Sequence, residues 1–204
     1  MQPKKLSKKP LKLLCIADLH HYTLAEIEKI QGVEYDMCVL LGDISGQGLT
    51  DIKRIIGENR VCGVLGNHDE YELLEKHGIF DVNGCVRNIG DYGILGFGGS
   101  HRYKNGDYPM LTQAESLEQS RGLAKMKYDI VVSHDSMYKL FSKDDKAHIG
   151  LKGLTKLVKK SKLKLNICGH FHRQTQIKKH GCTVICVYRC AIISLPELTA
   201  ERIF

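Results

Sequence analysis

The sequence predicts an α/β fold, and three observations carry that expectation. Apolar runs of strand length at 11–17, 36–41 and 61–65 alternate with segments of helical spacing at 22–30 and 50–56, in the order β-α-β-α-β. Such an order implies right-handed crossovers between neighbouring parallel strands. Asp18, Asp43 and Asn67 recur about every 25 residues, each just after one of these runs. They therefore fall at the carboxyl ends of strands, where open α/β sheets place their ligands.

Taken in order, residues 1–10 read as a basic flexible tail ending at Pro10, and residues 11–204 as a single domain. At 204 residues, 43% of them hydrophobic, the chain is long enough for one sizeable core and short for two. Beyond the first five elements, 70–77 suggests a helix, 86–89 and 93–97 suggest strands, and 112–127 a longer helix. Apolar strands at 129–132 and 165–168 lead into His134 and His170. Leu151, Leu154, Leu157 and Val158 repeat at helical spacing, so lysines around them form the outer face of an amphipathic helix. Segments 183–188 and 191–195 are β-rich and are expected to close a second sheet.

The formal charge of +7 is unevenly placed. Lys4, Lys5, Lys8, Lys9 and Lys12 form one strip, and Lys152, Lys156, Lys159, Lys160, Lys162 and Lys164 a second. Removing these eleven from the 30 basic residues leaves 19 against 23 acidic ones, so the body is mildly acidic. A lysine face of this kind is most simply solvated, with nucleic-acid contact as the functional alternative. No run approaches the roughly 18 apolar residues of a membrane span, and the basic start has no apolar stretch behind it. The expectation is a soluble cytoplasmic protein with no membrane partner. Of the eight cysteines, Cys15, Cys38, Cys62 and Cys168 lie inside apolar runs as buried small hydrophobes. Cys182, Cys186 and Cys190 recur every fourth residue, which on one strand puts them on one face, at a spacing wider than structural zinc sites prefer.

Five short blocks carry the chemistry: Asp18-Leu19-His20, Gly42-Asp43, Gly66-Asn67-His68-Asp69, Ser133-His134 and Gly169-His170-Phe171-His172. Each has a bland explanation, since Asp18 suits a helix cap and Asp43 and Asn67 suit turns beside glycine. Their ordered recurrence at strand ends favours function. Asp18 and His20, two apart, share a face in extended chain and can reach one ion. Asp43 has two carboxylate oxygens and can bridge two. Asn67 adds an amide oxygen, and His134, His170 and His172 add imidazole nitrogens. Mixed N/O donors suit Mn, Fe, Zn or Co better than calcium or a thiolate site. Two cations roughly 3.5–4 Å apart acidify a shared water and neutralise phosphate oxygens, so that a bridging hydroxide attacks phosphorus in line. The leaving alkoxide needs a proton, and His68, next to Asn67, is placed to give it, oriented by Asp69.

These blocks resemble the calcineurin-like metallophosphoesterases, whose pattern is D-x-H, GD, GNH(D/E), H and GHxH, over residues 18–172. The resemblance implies a four-layer α/β/β/α sandwich of two mixed β-sheets flanked by helices, with a dinuclear centre at the strand ends. It assigns Asp18, His20, Asp43 and His172 to one ion and Asp43, Asn67, His134 and His170 to the other, with Asp43 as the bridge and His68 free of metal. The cofactor implied is a pair of divalent ions, manganese first and Fe, Zn, Ni, Co or Mg as alternatives.

The protein Ser/Thr phosphatase branch resembles GDxxDRG followed by RGNHE. Here Gly42-Asp43-Ile44-Ser45-Gly46-Gln47-Gly48 and Val64-Leu65-Gly66-Asn67-His68-Asp69 lack those arginines. The expected substrate is accordingly a phosphodiester of a nucleotide or nucleic-acid end, and the alternatives are phosphomonoesters, phosphoproteins or a non-catalytic adaptor. Arg102, in the run Gly98-Gly99-Ser100-His101-Arg102-Tyr103-Lys104, is a candidate clamp for a phosphate oxygen, alongside Asn67. Residues 144–150 resemble a D-x-x-H-x-G loop of some bacterial and viral-type members, but read by themselves as solvated. Many relatives follow GHxH with a strand and an Asn-Pro-Gly turn, which 188–195 lacks.

Overall fold

The computed structural model describes residues 8–57, 60–142 and 144–204. The first half runs β1 (Leu11–Ala17), α1 (Leu24–Glu28), β2 (Met37–Leu40), α2 (Gly46–Ile56), β3 (Val61–Gly63), α3 (Leu73–Lys76) and β4 (Phe80–Asp81). It continues with β5 (Val86–Ile89), β6 (Tyr92–Phe97), β7 (Ser100–His101), β8 (Met110–Leu111), α4 (Gln113–Leu123), β9 (Ile130–Ser133) and α5 (Lys152–Lys160). The last strands are β10 (Leu165–Cys168), β11 (Thr175–Lys179), β12 (Cys182–Cys186), β13 (Arg189–Leu195) and β14 (Thr199–Arg202).

Two six-stranded mixed sheets face one another, ordered β14-β13-β1-β2-β3-β4 and β11-β12-β10-β9-β6-β5. Period-two side-chain alternation explains the layering. On β1, Leu13, Cys15 and Ala17 face the core between the sheets, where they meet Ile94, Ile130, Val132, Ile167 and Ile185 of the opposite sheet. Leu14 and Ile16 face outward and pack with Ile27 of α1 and Leu49, Ile52 and Ile56 of α2. On the far side, Val131, Cys168 and Val184 pack with Leu154, Leu157 and Val158 of α5 and Leu123 of α4. The result is the expected α/β/β/α sandwich.

Local chemistry fixes the helix starts. Thr23 and Glu26 make a reciprocal capping box on α1, and Thr112 and Glu115 do the same on α4. Ser45 caps α2 by accepting from Gly48 N, so that helix begins four residues before the expected 50. The helix expected over 112–127 ends at Leu123, and that over 70–77 shrinks to a single turn.

Segment 191–195 does not close the second sheet. β13 instead pairs antiparallel with β1 inside the first sheet, Cys15 opposite Ala191, while β12 joins the second sheet beside β10. The three cysteines therefore do not share one strand face: Cys182 and Cys186 face α5 and Cys190 packs beneath α1 and α2. The chain crosses between sheets at Tyr188-Arg189, where Arg189 has φ +65°. All eight cysteines are free thiols. Of the basic tail, residues 1–7 lie outside the described residues. Lys8 is anchored, its Nζ 2.6 Å from Asp129 Oδ2 and donating to Asp91 O. No helix of the described residues is long and apolar enough to cross a membrane.

Candidate metal centre

Every motif block lies just beyond the carboxyl end of a parallel strand: Asp18 after β1, Asp43 after β2, Asn67 after β3, His134 after β9 and His170 after β10. The chain has to turn abruptly there. Asp18, Asp43, His170 and His172 all adopt left-handed backbone, with φ of 57°, 57°, 71° and 48°. Such conformations disfavour most L residues, and their clustering at one place marks a site that the surrounding structure holds under strain.

The side chains converge. Asp18, His20 and His172 each offer a donor atom within 4.8 Å of the others, and Asp43, His134 and His170 do likewise. Asp43 lies between the groups, its Oδ2 3.6 Å from His20 Nε2 and 3.3 Å from His134 Nε2. Asn67 Oδ1 is 3.0 Å from His134 Nε2. The glycines of the motifs make this approach feasible. A Cβ on Gly66 would lie 2.1 Å from Asp43 Oδ1, and one on Gly42 2.4 Å from Gly66 N.

The donor chemistry fits cations. Leu41 O is 2.8 Å from His134 Nδ1, and a carbonyl only accepts, so the proton is on Nδ1. Nε2 then aims a lone pair at two oxygens, a contact that needs either a second proton or a metal ion. Without metal, the proton is favoured: burial opposes charge on His134, but Asp43 outweighs it and the pKa rises to about 10. Similarly, His170 Nε2 faces Ala147 O at 2.8 Å, which leaves Nδ1 as the free donor. Burial lowers His170 to about 3, with His134 adding to the effect, so its imidazole is neutral. Burial also raises Asp18 to about 7, helped by Asp43 and opposed by His134. For Asp43, burial is outweighed by His134 and by the His68 amide, and its carboxyl is held well below the usual range. Buried carboxylates side by side with imidazole nitrogens are a donor set that divalent ions satisfy.

His68 is exposed, its backbone N donating to Asp43 Oδ1 at 2.8 Å and its ring 5.1 Å from that of His20. It borders a cleft of about 480 Å³ shared with His20, Ser45, Glu70 and His77. The expectation that Asp69 orients His68 is corrected. Asp69 Oδ2 accepts from Asp43 N (2.8 Å) and Gly66 N (2.7 Å), and Oδ1 from Ile44 N (3.1 Å). It clamps two loops, and its oxygens face their amides and not the His68 ring.

Arg102 donates from its guanidinium to Met110 O at 2.7 Å, which ties down its own loop. The next residue, Tyr103, reaches the donor cluster, its hydroxyl accepting from Asn67 Nδ2 at 3.1 Å. The 144–150 loop is not simply solvated: Ala147 O meets His170, and the His148 ring is 4.8 Å from that of His170. The D-x-x-H-x-G pattern was the signal for it.

The sequence profile of the calcineurin-like phosphoesterase family matches residues 11–174, and the chain belongs to that family. Among solved structures, it resembles phosphopantetheinyl hydrolase from Mycobacterium tuberculosis at TM-score 0.60 and 12% identity, over 87% of this chain and 89% of that one. A putative 5'-nucleotidase from Staphylococcus aureus gives 0.55 and 14%, over 95% and 53%. An archaeal phosphodiesterase gives 0.52 and 13%, over 94% and 98%. At these identities the likeness is one of fold. Compared by sequence with curated proteins, the chain has no match.

Proposed function

We propose that the protein is a dinuclear metallophosphoesterase that hydrolyses phosphodiesters of nucleotides or nucleic-acid ends, with His68 as general acid. The observation that carries this is the pair of donor groups, Asp18-His20-His172 and Asp43-His134-His170, meeting at Asp43 beside an exposed histidine that belongs to neither. Divalent ions bound there, manganese in the first place, would supply Lewis acidity to a water and to the phosphate oxygens.

The chain's own residues do the rest. Asp43 sets the spacing of the two donor groups, because one carboxylate faces both. Tyr103 holds the Asn67 amide so that its oxygen points inward. His68, fixed at its backbone by Asp43, presents its imidazole to the cleft and hands a proton to the departing alkoxide oxygen. Asp69 keeps the Asp43 and Asn67 loops in register.

The test is hydrolysis of bis-p-nitrophenyl phosphate and of p-nitrophenyl phosphate, each with Mn2+ and with chelator. Metal-dependent turnover with the diester preferred is the expected result. Preference for the monoester would move the substrate class, and no turnover of either with metal bound would favour the adaptor.

A further inference from the structure

We propose that a basic pocket beside α5, with the aromatic strip joining it to the donor cluster, is a binding track for single-stranded oligonucleotide. The pocket, about 340 Å³, is lined by Tyr138, Lys139, Leu140, Lys152, Lys159 and Lys179 among others, and no carboxylate lines it. Among the described residues, none of these four lysines makes an ion pair, unlike Lys8, Lys12, Lys76 and Lys162. Four unneutralised ammonium groups around one hollow repel each other and favour a ligand with several negative charges.

Aromatic rings interleave with these cations. Lys139 and Lys152 lie over the Tyr138 ring at 5.5 and 5.1 Å. Two residues past the pocket's Lys139, Phe141 packs on Phe171 at 4.4 Å, and the Arg173 guanidinium covers Phe141 at 4.6 Å. Phe171 in turn touches the His170 ring, at 5.2 Å. Residues Met137 to Leu140 thus border the pocket, and Ala147, further along the chain, meets His170. Alternating cations and ring faces suit a ligand that alternates phosphates with unstacked bases, which is a single strand. A bilayer is a poorer fit, since Leu154, Leu157 and Val158 of α5 are fully buried and leave no apolar face to insert.

The inference rests on the proposed phosphoesterase activity only for what happens where the track ends; binding stands independently. The probe is a fluorescein-labelled oligothymidylate of roughly a dozen nucleotides, followed by anisotropy across a salt series with the full chain. For four phosphates neutralised, log K should fall against log salt with a slope of about −3. Lys152→Glu/Lys179→Glu should weaken binding tenfold or more and flatten the slope by about half. Tyr138→Ala should weaken it several-fold with the slope retained, because stacking is lost and charge is not. Lys152→Gln/Lys179→Gln guards against a folding artefact of charge reversal, and hydrolysis of bis-p-nitrophenyl phosphate should be unchanged in all three variants.

Oligonucleotide affinity indifferent to these substitutions would overturn the track. So would binding that ignores Tyr138 and is displaced as well by inorganic polyphosphate, or that is transferred to vesicles of anionic lipid. Binding that responds as expected in a protein that hydrolyses no small diester would support the track and count against the activity.

Discussion

Replacing Asp69 by Ala deletes a buried carboxylate that accepts from three backbone amides, at 2.8, 2.7 and 3.1 Å. Each amide left buried without an acceptor costs about 1–3 kcal/mol. The gross loss is offset, because burial, and next the charge of Asp43, push the carboxyl up to about 6 and make its own ionisation costly. The net effect should lie near the lower bound, about 3 kcal/mol for three bonds. In a chain of this size that lowers Tm by roughly 6–12 °C. Asp69→Asn should be milder, about 1 kcal/mol, since the amide oxygen can take the place facing Asp43 N and Gly66 N and lose only Ile44. Because the clamp joins the loops bearing Asp43 and Asn67, Mn2+ affinity should also fall by about tenfold or more in the alanine variant. Thermal melts and Mn2+ titration calorimetry read the two effects. An alanine variant that melts with wild type and binds Mn2+ as tightly would refute the clamp.

Four further outcomes are expected. His68→Ala should keep its metal content but lose about 10²–10⁴-fold in turnover of esters with poor leaving groups, and much less with p-nitrophenolate; equal losses on both would remove it as the acid. Gly66→Ala should abolish metal retention, since its Cβ would lie 2.1 Å from Asp43 Oδ1; normal metal content in that variant would contradict the packing. Tyr103→Phe removes the acceptor of Asn67 Nδ2, and should weaken Mn2+ binding by up to about tenfold with no change in Tm. Asp129→Asn tests the Lys8 anchor by its pH dependence. Burial raises the Asp129 carboxyl, but Lys8 and the Gly93 amide outweigh it and hold the pKa below 3.8. A depressed pKa stabilises the fold above the ordinary value and loses that effect as pH falls through the depressed one. Wild type should therefore exceed the variant in stability at neutral pH and converge with it below about pH 3.8; a constant gap would contradict the ion pair.

Buried strands were plain in the sequence because both their faces are mostly apolar: β1 and β10 have the expected bounds, and β2, β3 and β9 differ by a residue or two. The edge strands β11 and β14, Thr-Gln-Ile-Lys-Lys and Thr-Ala-Glu-Arg, are exposed and polar and carry no such signal. Which sheet β13 joins is decided by its pairing with β1, some 175 residues earlier, and local pattern is silent on that. The donor cluster was legible because its residues need particular chemistry next to glycines. The Asp69 clamp was not, because it requires knowing that the turns after β2 and β3 touch. The close approach of Gly42 and Gly66 is what lets Asp69 span both.

Asp43 faces both donor groups, and the number of divalent ions each chain retains tests that sharing directly. Elemental analysis by plasma mass spectrometry after Mn2+ loading and desalting should find about two per chain in the wild type. Asp43→Ala should fall below one, because both groups lose a donor at once. A wild type saturating at a single ion, or an Asp43→Ala chain that still holds a pair, would contradict the account.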